Sequence, residues 1–172
     1  MVATWVILLL DQAINVKEQK AILERGQYSI KTDIKNTHLI SIALNHLIIA
    51  RALFVLNLFE QANNDFNQSV ICGYEAGRID HIPLFLLERA KFHCHQKDFT
   101  SCQTDLDEAQ EIIDRCGMGL YAVDAALLRG NLNLDLNKPA QTEYQIAKEL
   151  IEKTGYHLRD KELEELGKRL EV

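Results

Sequence analysis

The stretch NTHLISIALNHLIIARALFVLN, Asn36 to Asn57, decides the fold. Its apolar residues, from Leu39 and Ile40 through Leu47, Ile48 and Ile49 to Leu53, Phe54, Val55 and Leu56, leave too few polar positions for one clean outer face. Such a segment predicts a helix covered on several sides, the central member of an all-helical stack. His38, Ser41, Asn45, His46 and Arg51 interrupt it only as a narrow polar stripe.

Outward from this helix, three markers share one period. Residues that tolerate the left-handed conformation past a helix end, Asn36, Gly77, Gly117 and Gly155, are spaced by 41, 40 and 38. Good N-cap types, Asn15, Asn57, Asp98 and Asn137, follow at 42, 41 and 39, and Glu18 and Glu60 sit where a capping box places its acid. Small residues early in the helices that these caps would open, Ala21, Ala62, Cys102 and Ala140, keep the same frame.

Each period splits into two helices, giving expected pairs at 2–14 and 16–34, 37–56 and 58–75, 81–96 and 99–115, and 119–135 and 139–153. Ala50, Ala90 and Gly130 recur at intervals of 40 in the first helices, where a small side chain lets the two helices of a hairpin approach. Phe59 or Phe99 at the turn, and Phe66, Leu106 or Tyr144 further on, fill the space between hairpins. Pro83 and Pro139 are read as first-turn prolines, where a missing N–H costs little.

The order Ala50-Arg51-Ala52-Leu53, turn, Phe59-Glu60-Gln61-Ala62 and then Phe66, repeated by Lys97-Asp98-Phe99 with Cys102 and Leu106 and more loosely by Ala140, Tyr144 and Ala147, resembles the tetratricopeptide repeat. The longer period is similar to the long-helix variants attached to bacterial signalling ATPases and transcription activators. The resemblance implies an all-α, right-handed superhelical solenoid of antiparallel helix pairs. One domain over 1–172 would hold about four repeats of 38–41 residues, 1–35, 36–76, 77–116 and 117–155, with a capping helix over 160–171. In that last helix Leu163, Leu166 and Leu170 form the apolar stripe, as the end of a stacked core requires. Residues 2–10 have no such polar face. Trp5, Val6 and Leu9 are therefore expected to form a self-association edge, or to pack inward onto Ala21, Leu23 and the 37–56 helix.

Composition narrows the function classes. With 172 residues, 47% of them hydrophobic, the chain can bury a sizeable core. A net charge of −6 without a basic block argues against nucleic acid as a partner. The six-residue run Trp5 to Leu10 is too short for a membrane span and carries no preceding Lys or Arg, so a cytoplasmic chain without a membrane partner is expected. Cys72, Cys94, Cys102 and Cys116, spaced by 22, 8 and 14, form no CxxC pair, and reduced thiols follow from that setting. Asn67-Gln68-Ser69 lies in a helical pattern and is set aside as a glycosylation site.

Residues for chemistry are sparse. No phosphate-binding glycine loop, HExxH or GxSxG occurs. His93-Cys94-His95 with Cys102 invites a zinc reading, but residues i and i+2 of a helix point about 200° apart. Cysteine catalysis would need a base that meets the Cys94 thiol in space. Packing explains these residues more simply: His93 stands where Leu53 stands one period earlier, and Cys102 replaces an alanine. No cofactor, metal or catalytic residue is expected.

A surface remains. In the family the first helices line a concave groove, so the resemblance implies columns across the repeats: Arg51, Lys91 and Asn131, flanked by Leu47, Leu87 and Leu127 one turn earlier and by Val55, His95 and Asp135 one turn later. The carboxylate clamp of chaperone-binding members is not reproduced, because Leu47 and Leu87 precede the two basic residues. The expected function is non-enzymatic binding of a protein or peptide, in particular an acidic or carboxylate-bearing segment, along this face. The alternatives are that Arg51 and Lys91 only solvate the face, that the chain is the sensor or oligomerisation part of a signalling ATPase or transcription regulator, and, remotely, an enzyme.

Overall fold

The computed structural model describes residues 16–36 and 38–171. They form eight α-helices: α1 (Val16–Asn36), α2 (Leu39–Val55), α3 (Phe59–Glu75), α4 (Ile82–His95), α5 (Phe99–Cys116), α6 (Gly119–Asp135), α7 (Gln141–Thr154) and α8 (Asp160–Leu170). A single 3₁₀ turn, His157–Arg159, precedes α8, and there is no strand among the described residues. The expected helix over 2–14, with Trp5, Val6, Leu9 and the cap Asn15, lies outside them. Neighbouring helices pack in pairs, and the chain divides into two compact units, one ending at Phe92 and the other beginning at His93.

The turns explain the period. Asn57, Lys97 and Asn137 all have left-handed backbone, with φ of 60°, 62° and 55°. In the first, the N–H of Asn57 donates to the Phe54 carbonyl at 2.9 Å and that of Leu58 to the Leu53 carbonyl at 2.9 Å. Lys97 and Asp98 repeat this onto Cys94 and His93, and Asn137 and Lys138 onto Leu134 and Asn133. These are Schellman closures, which satisfy the last carbonyls of one helix while reversing the chain into the next. Asn57 and Asn137 therefore end helices rather than cap their successors, contrary to the sequence expectation. The N-cap positions of α3 and α7 are Leu58 and Ala140, without a side-chain bond. Asp98 does cap: its Oδ1 accepts from the Ser101 N–H at 3.1 Å. Gly77, Gly117 and Gly155 take the left-handed position after the second helices, as expected.

In the first unit α2 is buried at Ile42 and Ala43 and again through Leu47, Ile48, Ile49, Ala50, Ala52 and Leu53, a distribution too wide for one face. Ile22 and Leu23 of α1 cover Ile48 and Ala52 on one side. Gly26 permits this approach, since a Cβ there would lie 2.7 Å from Ile49 Cγ1. Ala21, expected in the small-residue frame, is exposed; buried Gly26 and Gln19 face inward instead. On α3, Gly73 sits against the Phe85 ring, 2.6 Å from where its Cβ would be, while Phe66 packs on Phe92 with centroids 5.1 Å apart. Pro83 lies in the first turn of α4, but Pro139 precedes α7 by two residues.

The core of the second unit joins Val123, Ala126 and Leu127 of α6, Ala147 and Ile151 of α7, and Leu166 of α8. Leu166 is fully buried over Gly130, where a Cβ would meet its Cδ2 at 2.8 Å. Arg159 holds the 3₁₀ turn in place: its Nε donates to Asp124 Oδ1 at 2.7 Å and its Nη1 to Glu162 Oε1 at 2.8 Å. A helix is thus present where the sequence places one over 160–171, with Leu166 of its apolar stripe buried.

Candidate functional site

The polar stripe of α2 is used inside the first unit. His46 Nδ1 lies 2.6 Å from Asp65 Oδ1 of α3. Arg51 Nε stands 3.4 Å from Glu88 Oε2, and Lys91 Nζ donates to Glu88 Oε1 at 2.7 Å. One carboxylate, itself only 12% exposed, therefore serves both cations of the predicted ladder. The Arg51 side chain is 16% exposed and is engaged in structure, whereas Lys91 keeps 40% exposure. Leu47 and Leu87 are buried, and so is Leu127 in the second unit. They are core residues, not an open apolar rail; Val55, at 53% exposure, is the apolar residue of the set that reaches solvent.

The second unit holds an open cleft of about 480 Å³ lined by Cys94, His95, Lys97, Phe99 and Asp135. The hairpin turn builds it. His95 comes from the last turn of α4, Lys97 is the left-handed residue, and Phe99 opens α5. Asp135, at the end of α6, closes the other wall. Its Oδ1 accepts from Arg169 Nη2 of α8 at 2.6 Å, and a second nitrogen of the same guanidinium reaches Asn131 Oδ1. Asn131 also donates through Nδ2 to the Leu127 carbonyl at 2.9 Å. Arg169 offsets the charge of Asp135, so the cleft presents a basic ammonium and an imidazole beside an aromatic ring.

The His-Cys-His run separates as its helical spacing requires. His93 is half-buried, with Nε2 3.8 Å from the buried Asp105 Oδ2 and Nδ1 4.0 Å from Asp98 Oδ2, so it packs as a polar partner and not in the apolar role of Leu53. Cys94 lines the cleft, with its Sγ 3.7 Å from Asp135 Oδ2. The Cys102 thiol lowers the pKa of Cys94 below the ordinary thiol range; burial and the Asp135 carboxylate oppose this and Arg169 assists it. Cys102 is pushed up by the Cys94 thiol and by burial. All four cysteines are free thiols. No group of three or more His, Cys, Asp or Glu side chains among the described residues could hold a metal ion.

Sequence reasoning missed Glu88, Lys97, Phe99 and Arg169 as members of these sites. Glu88 was readable in part, because it precedes Lys91 by three positions on a helix. Arg169 was not, since only the docking of α8 brings it to Asn131. No described helix is long and apolar enough to cross a membrane. Comparison with models of protein families, with curated proteins and with solved structures finds no match to this chain.

Proposed function

We propose that the chain is a non-enzymatic protein-interaction module, a tetratricopeptide-like helical array that holds an acidic or carboxylate-bearing segment of a partner protein on its first-helix face. The observation that carries this reading is the cleft at the α4–α5 turn, where His95 and Lys97 flank Phe99. A cation and a ring nitrogen suit a carboxylate, and the ring offers an apolar neighbour an anchor. Lys91, one turn before His95 on the same helix, extends the basic stripe, tempered by Glu88. Exposed charge pairs contribute under about 1 kcal/mol each, so they set orientation, and Phe99 supplies apolar area.

The test separates binding from folding. Arg51 is a poor target because its guanidinium, mostly buried, is engaged with Glu88 in the structure. His95→Gln combined with Lys97→Asn removes the basic pair without touching a core contact. We expect this double variant to capture its native partner at least about fivefold more weakly than wild type, the loss of roughly 1 kcal/mol, with no fall in melting temperature. Equal capture by both proteins would refute the cleft as the binding surface.

A further inference from the structure

We propose that Arg169 of α8 is the specificity-determining residue of the cleft: by neutralising Asp135 in the cleft wall it makes the cleft select anionic ligands, and without it that selection is lost. The biological use of this selection rests on the function proposed above; its existence does not. Of the residues that line the cleft, Lys97 brings a cation and Asp135 an anion. Left to themselves the two charges would cancel, and a carboxylate approaching Lys97 would meet another carboxylate across the cleft. Arg169 tips this balance from outside the lining. Its Nη2 donates to Asp135 Oδ1 at 2.6 Å, and its Nη1 donates to Asn131 Oδ1.

Asn131 and Asp135 lie one turn apart on α6, so both reach the same guanidinium, and the bond from Asn131 Nδ2 to the Leu127 carbonyl at 2.9 Å fixes the amide that receives it. A planar fork caught at two acceptors keeps its charge in one place. The other oxygen of Asp135, Oδ2, accepts from Cys94 Sγ at 3.7 Å. The carboxylate therefore stands between the cleft and α8. The Arg169 and Asp135 side chains keep 43% and 35% exposure, so their pairing adds little stability, and its main consequence is the sign of the local potential. Cys94 senses both charges: Asp135 raises its pKa and Arg169 lowers it.

That thiol, half-buried and lining the cleft, is a reporter of the potential there. Two methanethiosulfonate reagents with the same reactive head, one carrying a sulfonate and the other a quaternary ammonium, transfer their thiol group to a thiolate and expel methanesulfinate. The thiolate fraction multiplies both rates equally, so their ratio reports the charge met on approach. The whole reduced chain, at low ionic strength, is exposed to each reagent for timed intervals, blocked with an alkylating reagent in denaturant and digested with trypsin. Peptide Phe92–Lys97 gives the rate at Cys94, and Cys116–Arg129 gives that at the exposed Cys116 as reference. Buried Cys72 and Cys102, staying unmodified, verify that each variant is folded.

Relative to Cys116, we expect the anionic-to-cationic rate ratio at Cys94 to fall about fivefold in Arg169→Gln and to stay within about twofold of wild type in Arg169→Lys. Adding Asp135→Asn to Arg169→Gln should restore the wild-type ratio, because no carboxylate is left to neutralise. An unchanged ratio in Arg169→Gln, or a fall that Asp135→Asn does not reverse, would overturn the proposal. If the ratios behave as expected while Arg169→Gln captures the native partner as well as wild type does, the selectivity of the cleft stands and the proposed function fails.

Discussion

Lys97 is the residue whose backbone and sequence disagree. At the equivalent points of the neighbouring hairpins the left-handed conformation is taken by Asn57 and Asn137, whose short polar side chains tolerate it. A lysine there costs about 1 kcal/mol. Lys97→Asn should therefore stabilise the chain by a similar amount and raise the melting temperature by about 2–4 °C. Beside it, Asp98 accepts from Ser101 through side-chain and backbone bonds that lower its carboxyl pKa below the usual value. Since the folded pKa is depressed, the contribution is present above the unfolded value and is lost as pH falls through the folded one. Urea titrations should thus find wild type more stable than Asp98→Asn at neutral pH, with the gap closing below about pH 4. The sequence identified Asp98 as a cap because a carboxylate can do little else before a helix. It misassigned Asn57 and Asn137 because asparagine suits both an N-cap and a left-handed helix end, and only the hydrogen bonds distinguish the two.

Elements among the described residues were legible to within about two residues because apolar periodicity and left-handed stop residues agree along them. Close approaches between elements were harder to read. Gly73 lies in the last turn of α3 with no sequence signal beyond its identity, yet its missing Cβ is what admits the fully buried Phe85 ring. Alanine there gains about 1 kcal/mol of helix propensity, but overpacking a rigid ring costs about 1–3 kcal/mol. Gly73→Ala should be net destabilising by about 1 kcal/mol, seen as a lower urea midpoint with an unchanged slope. The last helix, α8, was by contrast readable from its leucine stripe, because one face of it must be buried whatever it meets. Leu166→Ala should cost about 2–4 kcal/mol, measured in the same way, since the side chain fills the space over Gly130.

At the scale of the whole chain, the period along the sequence expresses a repeated turn, with Asn57, Lys97 and Asn137 at intervals of 40. The candidate surface was legible only as columns of residue types. Which members are core, which are tied to a carboxylate and which face an open cleft depends on side chains far apart in sequence, such as Arg51 with Glu88 and Arg169 with Asp135. The claim that matters most is that a partner docks at the α4–α5 turn. The direct measurement is site-specific photo-crosslinking in the native cell, with a photoreactive amino acid placed at His95 in one protein and at the exposed Glu111 of α5 in another. A partner crosslinked from position 95, absent from position 111 and lost when Lys97→Asn is added, is the predicted result. Crosslinks of equal strength from position 111, or a partner recovered there and not from 95, would contradict it.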